Sequence, residues 1–200
     1  EEIKNQCVIV LDKYFVGRTY ESDKVNSWKN YALEEMSNFL KTKYEGYGFC
    51  VCMFIIGKGN IRTNSTCLSR SKTDAYILYS VDNDKLFAEL RIYFYKLYEL
   101  NWNYLDFFND DMILKMNSLL TTKLEGKTYS FEFAKEKVAE IVKELEDYLL
   151  IPELRPCTFQ ASCIVTKPLE YQFSYKVINL KYIPLTAVYS NNSLYAQLLM

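Results

Sequence analysis

The chain has 200 residues, half of them apolar and 24% charged, a composition that folds around a core and excludes a disordered tail. That length serves one large domain or two small ones. Its 24 Lys and Arg against 25 Asp and Glu leave a net charge of −1, without the cationic surplus that phosphate binding needs. Histidine is absent, which removes histidine triads, histidine general bases and histidine metal ligands. The balance favours a protein that binds over one that catalyses.

Ile3, Cys7, Val10, Leu11 and Phe15 recur at helical spacing and predict a first helix over about 2–16. A turn at Gly17-Arg18-Thr19-Tyr20 follows, and Ser22 or Asp23 is the expected N-cap of a second helix over about 23–42. Val25, Trp28, Ala32, Met36, Phe39 and Leu40 line one side of it, which places Trp28 in the core. Four strands are expected next, over about 47–57, 61–69, 75–81 and 85–97. They are separated by Gly57-Lys58-Gly59-Asn60, by Ser71 to Asp74 and by Asp82-Asn83-Asp84. Tyr93 and Tyr95 alternate as in a strand with one wet face.

An aromatic linker over about 98–108, carrying Trp102, Tyr104, Phe107 and Phe108, is expected to pack on the surface. Two further helices are expected over about 109–124 and 131–150, with Ser130 as the cap of the second. Strands over about 157–166, 171–180, 183–189 and 194–200 complete the chain, with turns at Lys167-Pro168 and Asn191-Asn192. The longest apolar run, Phe49 to Ile56 with its neighbours, is too short to cross a bilayer. No charged-then-apolar secretion signal opens the chain, which starts at Glu1 and is compatible with a leader removed earlier.

The order of elements repeats, and so do the residues. Gly17-Arg18-Thr19-Tyr20 recurs as Gly126-Lys127-Thr128-Tyr129, an offset of 109. At that offset Ile3 falls on Met112, Cys7 on Met116, Val10 on Leu119, Leu11 on Leu120 and Phe15 on Leu124. Beyond the tetrad, Ala32 falls on Ile141, Met36 on Leu145, Phe39 on Tyr148 and Leu40 on Leu149. A tetrad embedded in matched core positions marks a duplication, with repeats over 1–97 and 109–200 joined by the linker 98–108.

The remaining constellations point away from chemistry. Cys7, Cys50, Cys52, Cys67, Cys157 and Cys163 are expected as reduced, buried residues, because a chain this apolar needs no disulfide staples. Cys50 and Cys52 flank Val51 in a strand and share one face, unlike the Cys-x-x-Cys turn of a zinc knuckle. Gly57-Lys58-Gly59-Asn60 has neither Walker spacing nor a following helix and reads as a hairpin turn. Glu34-Glu35, Asp82 with Asp84, and Asp110-Asp111 read as solvated or capping carboxylates. Asn64-Ser65-Thr66 and Asn191-Asn192-Ser193 are sequons only in a secreted chain.

Tyr20-Glu21-Ser22-Asp23-Lys24-Val25-Asn26-Ser27-Trp28 resembles the start of the second helix of Tctex-type dynein light chains. Ile61-Arg62-Thr63-Asn64-Ser65-Thr66-Cys67-Leu68 is similar to that family's second strand, and Thr73-Asp74 with the turn at Asn83 to its end. The second repeat keeps Tyr129, the strand at Phe159 and the turn at Asn191 before Tyr195, but has Lys137 where Trp28 would sit. Its strand Tyr171 to Ile178 lacks the Thr, Ser and Cys pattern.

The resemblance implies an α+β fold: two repeats of two helices packed on a four-stranded antiparallel sheet, forming an intrachain pseudo-dimer with exchanged second strands. Strand 61–69 would complete the sheet of the second half and 171–180 that of the first. It also implies a non-catalytic dynein light chain or adaptor that binds an extended segment of a dynein intermediate chain or cargo by strand addition. The binding edges would carry Arg62, Thr63, Asn64, Ser65, Thr66 and Cys67 on one strand, and Phe173, Tyr175 and Val177 on the other. Other dynein light chains are further implied partners; no cofactor, metal, nucleic acid or membrane is. The chain would act as a monomer within a larger complex, in the cytoplasm and cytoskeleton or in the axoneme of a cilium or flagellum. The alternative is a structural subunit of a ciliary or axonemal assembly with no direct motor role.

Overall fold

The computed structural model describes residues 1–57, 64–69, 75–96, 109–149, 160–167, 171–179 and 185–200. The expected linker at 98–108, the turns at 58–60 and 71–74, and Cys157 lie outside the described residues. In chain order the described elements are α1 (Glu2–Phe15), α2 (Ser22–Lys43), β1 (Tyr47–Gly57), β2 (Asn64–Ser69), β3 (Ala75–Asp82) and β4 (Leu86–Lys96). After these come α3 (Asn109–Leu124), α4 (Phe131–Leu149), β5 (Gln160–Thr166), β6 (Tyr171–Ile178), β7 (Thr186–Ser190) and β8 (Tyr195–Leu199). They form two compact units that interleave along the sequence.

The first unit holds α1, α2 and an antiparallel sheet of order β3-β4-β1-β6. Helix α1 lies over β3 and β4, and α2 over β1 and β6. The core between helices and sheet takes Cys7, Val10, Leu11 and Phe15 from α1 and Val25, Ala32, Met36 and Leu40 from α2. From the sheet it takes every second residue: Phe49, Val51, Met53 and Ile55 on β1, and Leu86, Ala88, Leu90 and Ile92 on β4. Trp28 packs against this core while half-buried, its ring 5.0 Å from the Arg18 guanidinium carbon.

The alternate residues of β1 are buried as well. Cys50, Cys52, Phe54 and Ile56 fill its other face, together with Glu89, Arg91 and Tyr93 of β4. A strand apolar on both faces reads as a continuous run, which is why Phe49 to Ile56 shows no alternation. Arg91 is 1% exposed and donates from Nε to the Glu89 carboxylate, with its guanidinium carbon 4.7 Å from the Phe54 ring centre. The Sγ atoms of Cys50 and Cys52 lie 3.7 Å apart on this shared face, at thiol hydrogen-bond distance and without a disulfide.

The second unit repeats the plan with α3, α4 and a sheet of order β2-β5-β8-β7. Helix α3 lies over β7 and β8, and α4 over β5 and β2. Met116, Leu119, Leu120 and Leu124 from α3 join Ala134, Val138, Ile141 and Leu145 from α4 above Ala161, Cys163 and Val165 of β5. With β5 set against β1, β6 against β2, β7 against β3 and β8 against β4, the two strand orders correspond. Strand β6 therefore ends the sheet begun by β1, and β2 the sheet begun by β5.

The repeated tetrad closes the first helix of each unit and holds a distant turn. Gly17 at φ 71° and Gly126 at φ 68° take the left-handed conformation that ends a helix. The next amides, of Arg18 and Lys127, donate to Phe15 O and Leu124 O at 3.1 Å each. Asn83 Nδ2 then donates to Arg18 O at 3.4 Å, and Asn191 Nδ2 to Lys127 O at 3.2 Å. Each Asn Oδ1 also accepts two amides of its own hairpin: Lys85 and Leu86 at 2.8 Å, Ser193 at 2.7 Å and Leu194 at 2.9 Å. The hairpin between the last two strands is thus tied to the end of the first helix.

Helix starts differ from expectation at one place. Ser130 caps α4 as expected, its Oγ accepting the Phe133 amide at 3.1 Å. Neither Ser22 nor Asp23 caps α2; Glu21, extended at φ −132°, holds the cap position without a side-chain bond. Its carbonyl accepts the Lys24 and Val25 amides, so Ser22 already has helical backbone. Asn83→Ala removes two turn bonds and the tether, and is expected to cost about 1–3 kcal/mol in urea unfolding. Gly17→Ala, with open space around a new Cβ, costs only the left-handed conformation, about 1 kcal/mol. An unchanged midpoint in Asn83→Ala would show that the tether holds nothing.

Candidate partner-binding edges

Antiparallel pairing uses the N–H and C=O of alternate residues on each side of a strand, so an end strand presents an unused row. Among the described residues no strand pairs with the outer side of β2 or β6. These are the strands on which the sequence places the binding residues. Asn64, Ser65, Thr66 and Cys67 lie in β2, in register with Val165, Ile164, Cys163 and Ser162 of β5. Arg62 and Thr63 lie outside the described residues, as do the side chains of β2.

Phe173, Tyr175 and Val177 lie in β6, opposite Phe54, Cys52 and Cys50 of β1. All three are half-buried. The Phe173 ring sits 4.8 Å from that of Phe54 and 6.0 Å from that of Tyr175. Ile178, on the opposite face, enters the helix-covered core. Lys176, on that same face, donates to the Glu34 carboxylate of α2. Asn179 ends the strand at φ 56°, a left-handed conformation that Asn tolerates, and its Nδ2 donates to Tyr47 O at 3.2 Å. The edge is therefore anchored along one side, and along the other no strand pairs with it among the described residues. Sequence reasoning missed Glu34 and Phe54 as parts of this edge, since only the β1–β6 register brings them to Lys176 and Phe173.

The opposite edges are β3 and β7. On β3, Leu78 and Tyr79 are exposed, apolar positions that the sequence pattern also left unassigned.

Among the described residues no three of Cys, Asp and Glu gather as a metal site, and no helix is long and apolar enough to cross a membrane. Cys7, Cys50, Cys52 and Cys163 are buried and unbridged. Burial pushes the Cys7 thiol up to about 12, well above the range of a working nucleophile. Glu34-Glu35 divide between two ion pairs, Glu34 with Lys176 and Glu35 with Lys13.

The fold and these edges define a class: an α+β scaffold whose sheets end in strands drawn from the distant half of the chain. Residues 1–95, α1 through nearly all of β4, match the Tctex-1 family. The match agrees with the resemblance to Tctex-type dynein light chains carried by Tyr20 to Trp28 and by Ile61 to Leu68. A comparison with curated proteins finds no match.

Two measurements check the chemistry of the site. The Lys176 ammonium holds the Glu34 carboxyl below its ordinary 4.5, so this pair stabilises the edge above that pH and is lost as pH falls through the lowered value. Hydrogen exchange of β6 amides, corrected for intrinsic rate, is expected to accelerate relative to β3 as pH falls below 4.5 through the lowered value. Glu34→Gln should remove that difference. Separately, iodoacetamide at pH 8 should leave Cys7 unmodified in the native protein and label it after unfolding; native labelling would contradict its burial.

Proposed function

We propose that the chain is a non-catalytic light chain or adaptor of a microtubule motor, and that it holds extended partner segments by strand addition. The observation that carries this is the position of β2 and β6: each ends its sheet, and each leaves one row of backbone groups unused among the described residues. The Tctex-1 match over residues 1–95 supports the motor context. The partner is an extended segment of a dynein intermediate chain or a cargo protein, with other light chains alongside, in the cytoplasm and cytoskeleton.

In this reading residues 1–97 and 109–200 are two light-chain repeats, and the single chain takes the place of a dimer of separate light chains. The exchange of β2 and β6 supports it, since swapping equivalent elements is how two copies join at little cost. Fusion keeps each repeat at a high effective concentration for the other, on the order of millimolar.

Affinity capture from cell extract, followed by mapping of the bound segment, tests the function. Recovery of an intermediate-chain segment of strand length supports it; recovery of cytoskeletal proteins without any dynein chain overturns it. The solution mass of the full chain tests the architecture. A monomer is expected, and a stable dimer would show that the exchange runs between molecules.

A further inference from the structure

The two end strands differ in what they offer a guest. On β4, β1 and β6 a row of stacked groups crosses the sheet: Arg91 against Phe54 at 4.7 Å, then Phe54 against Phe173 at 4.8 Å, with Tyr175 beside Phe173. Among the described residues the row stops at the outermost strand, where Phe173, Tyr175 and Val177 remain half-buried. A residue of an added strand directly opposite Phe173 or Tyr175 falls on the same face, with its Cβ about 4.5–5.5 Å away, and so continues the stack. Aromatic and β-branched side chains gain most in such cross-strand pairs.

Strand β2 carries different residue types at the corresponding positions. Met53 of β1 lies between Leu90 and Ser174, and Cys163 of β5 between Leu198 and Thr66. Leu90 and Leu198 each stand seven residues after the hairpin Asn of their unit, so Ser174 and Thr66 hold corresponding positions. The neighbours Phe173, Tyr175 and Val177 then correspond to Ser65, Cys67 and Ser69. Where one end strand carries two rings and a branched chain, the other carries three small residues.

We infer that the β6 edge selects a partner segment with aromatic or β-branched residues at alternate positions, placed opposite Phe173 and Tyr175, and that the β2 edge does not share this preference. This rests on the strand-addition reading above and assigns the chemistry of its partner at one edge.

The test uses the full chain and two eight-residue probe peptides, one alternating Tyr or Val with Thr, the other alternating Ser with Thr. Titration calorimetry is expected to show the Tyr/Val probe binding about ten-fold tighter, the gain of two cross-strand contacts. Hydrogen exchange should slow at outward amides of β6 when this probe binds. Tyr175→Thr, which keeps a β-branched strand residue, should erase most of the advantage and leave the Ser/Thr probe unchanged. Equal affinities, an undisturbed preference in Tyr175→Thr, or protection appearing in β3 instead of β6 would overturn the preference alone. Binding of neither probe, with the thermal midpoint intact, would overturn strand addition itself.

Discussion

Everything in the first unit depends on β1 finding a partner on each side. Cys50 through Ile56 are at most 4% exposed, so their amides and carbonyls have no water to fall back on. Strand β4 satisfies one row through an eleven-residue register from Tyr47 to Gly57. The other row needs a second strand, and an unpaired buried backbone group costs about 1–3 kcal/mol. The chain supplies β6 from more than a hundred residues away. The same demand on β5 is met by β2.

This demand explains the pattern of burial on the far sides of the sheets. On the far side of the first sheet Arg91 is drawn into a pair with Glu89 and stacks on the Phe54 ring. Such a pair tolerates burial only while both members are present, because removing one strands a charge away from water. The helix-covered faces hold the two apolar clusters, with the Lys176–Glu34 pair at the margin of the first. In the first sheet the two faces are thus held differently, by close packing under the helices and by a buried charge pair within an apolar field on the far side.

Much of this was legible in the sequence, and the reasons differ by element. The four helices were readable because the stripe from Cys7 to Phe15 and its copy from Met116 to Leu124 face a single core. Strand β1 was readable as an element but not in its surroundings, since an unbroken apolar run announces burial without saying what pairs with it. The exchange of second strands came from the family resemblance; periodicity within β6 contains no trace of Phe54. Both glycine tetrads and both asparagine turns were visible, yet their hydrogen bonds span 64 and 65 residues, beyond any local signal. The N-cap of α2 misled because serine and aspartate favour caps in general, whereas Glu21 here takes the extended conformation and leaves Ser22 to the helix.

A two-chain assembly built by mutual exchange of one strand forces that strand to fit the body of its identical twin. In this polypeptide β1 receives β6 and β5 receives β2, so each union is a separate fitting problem. Phe54 is free to grow a ring against Phe173 without any matching ring being required beside β5. Covalent continuity thereby releases the molecule from self-likeness. The two end strands can therefore differ in sequence, as Phe173 and Tyr175 on β6 differ from Ser65 and Cys67 on β2.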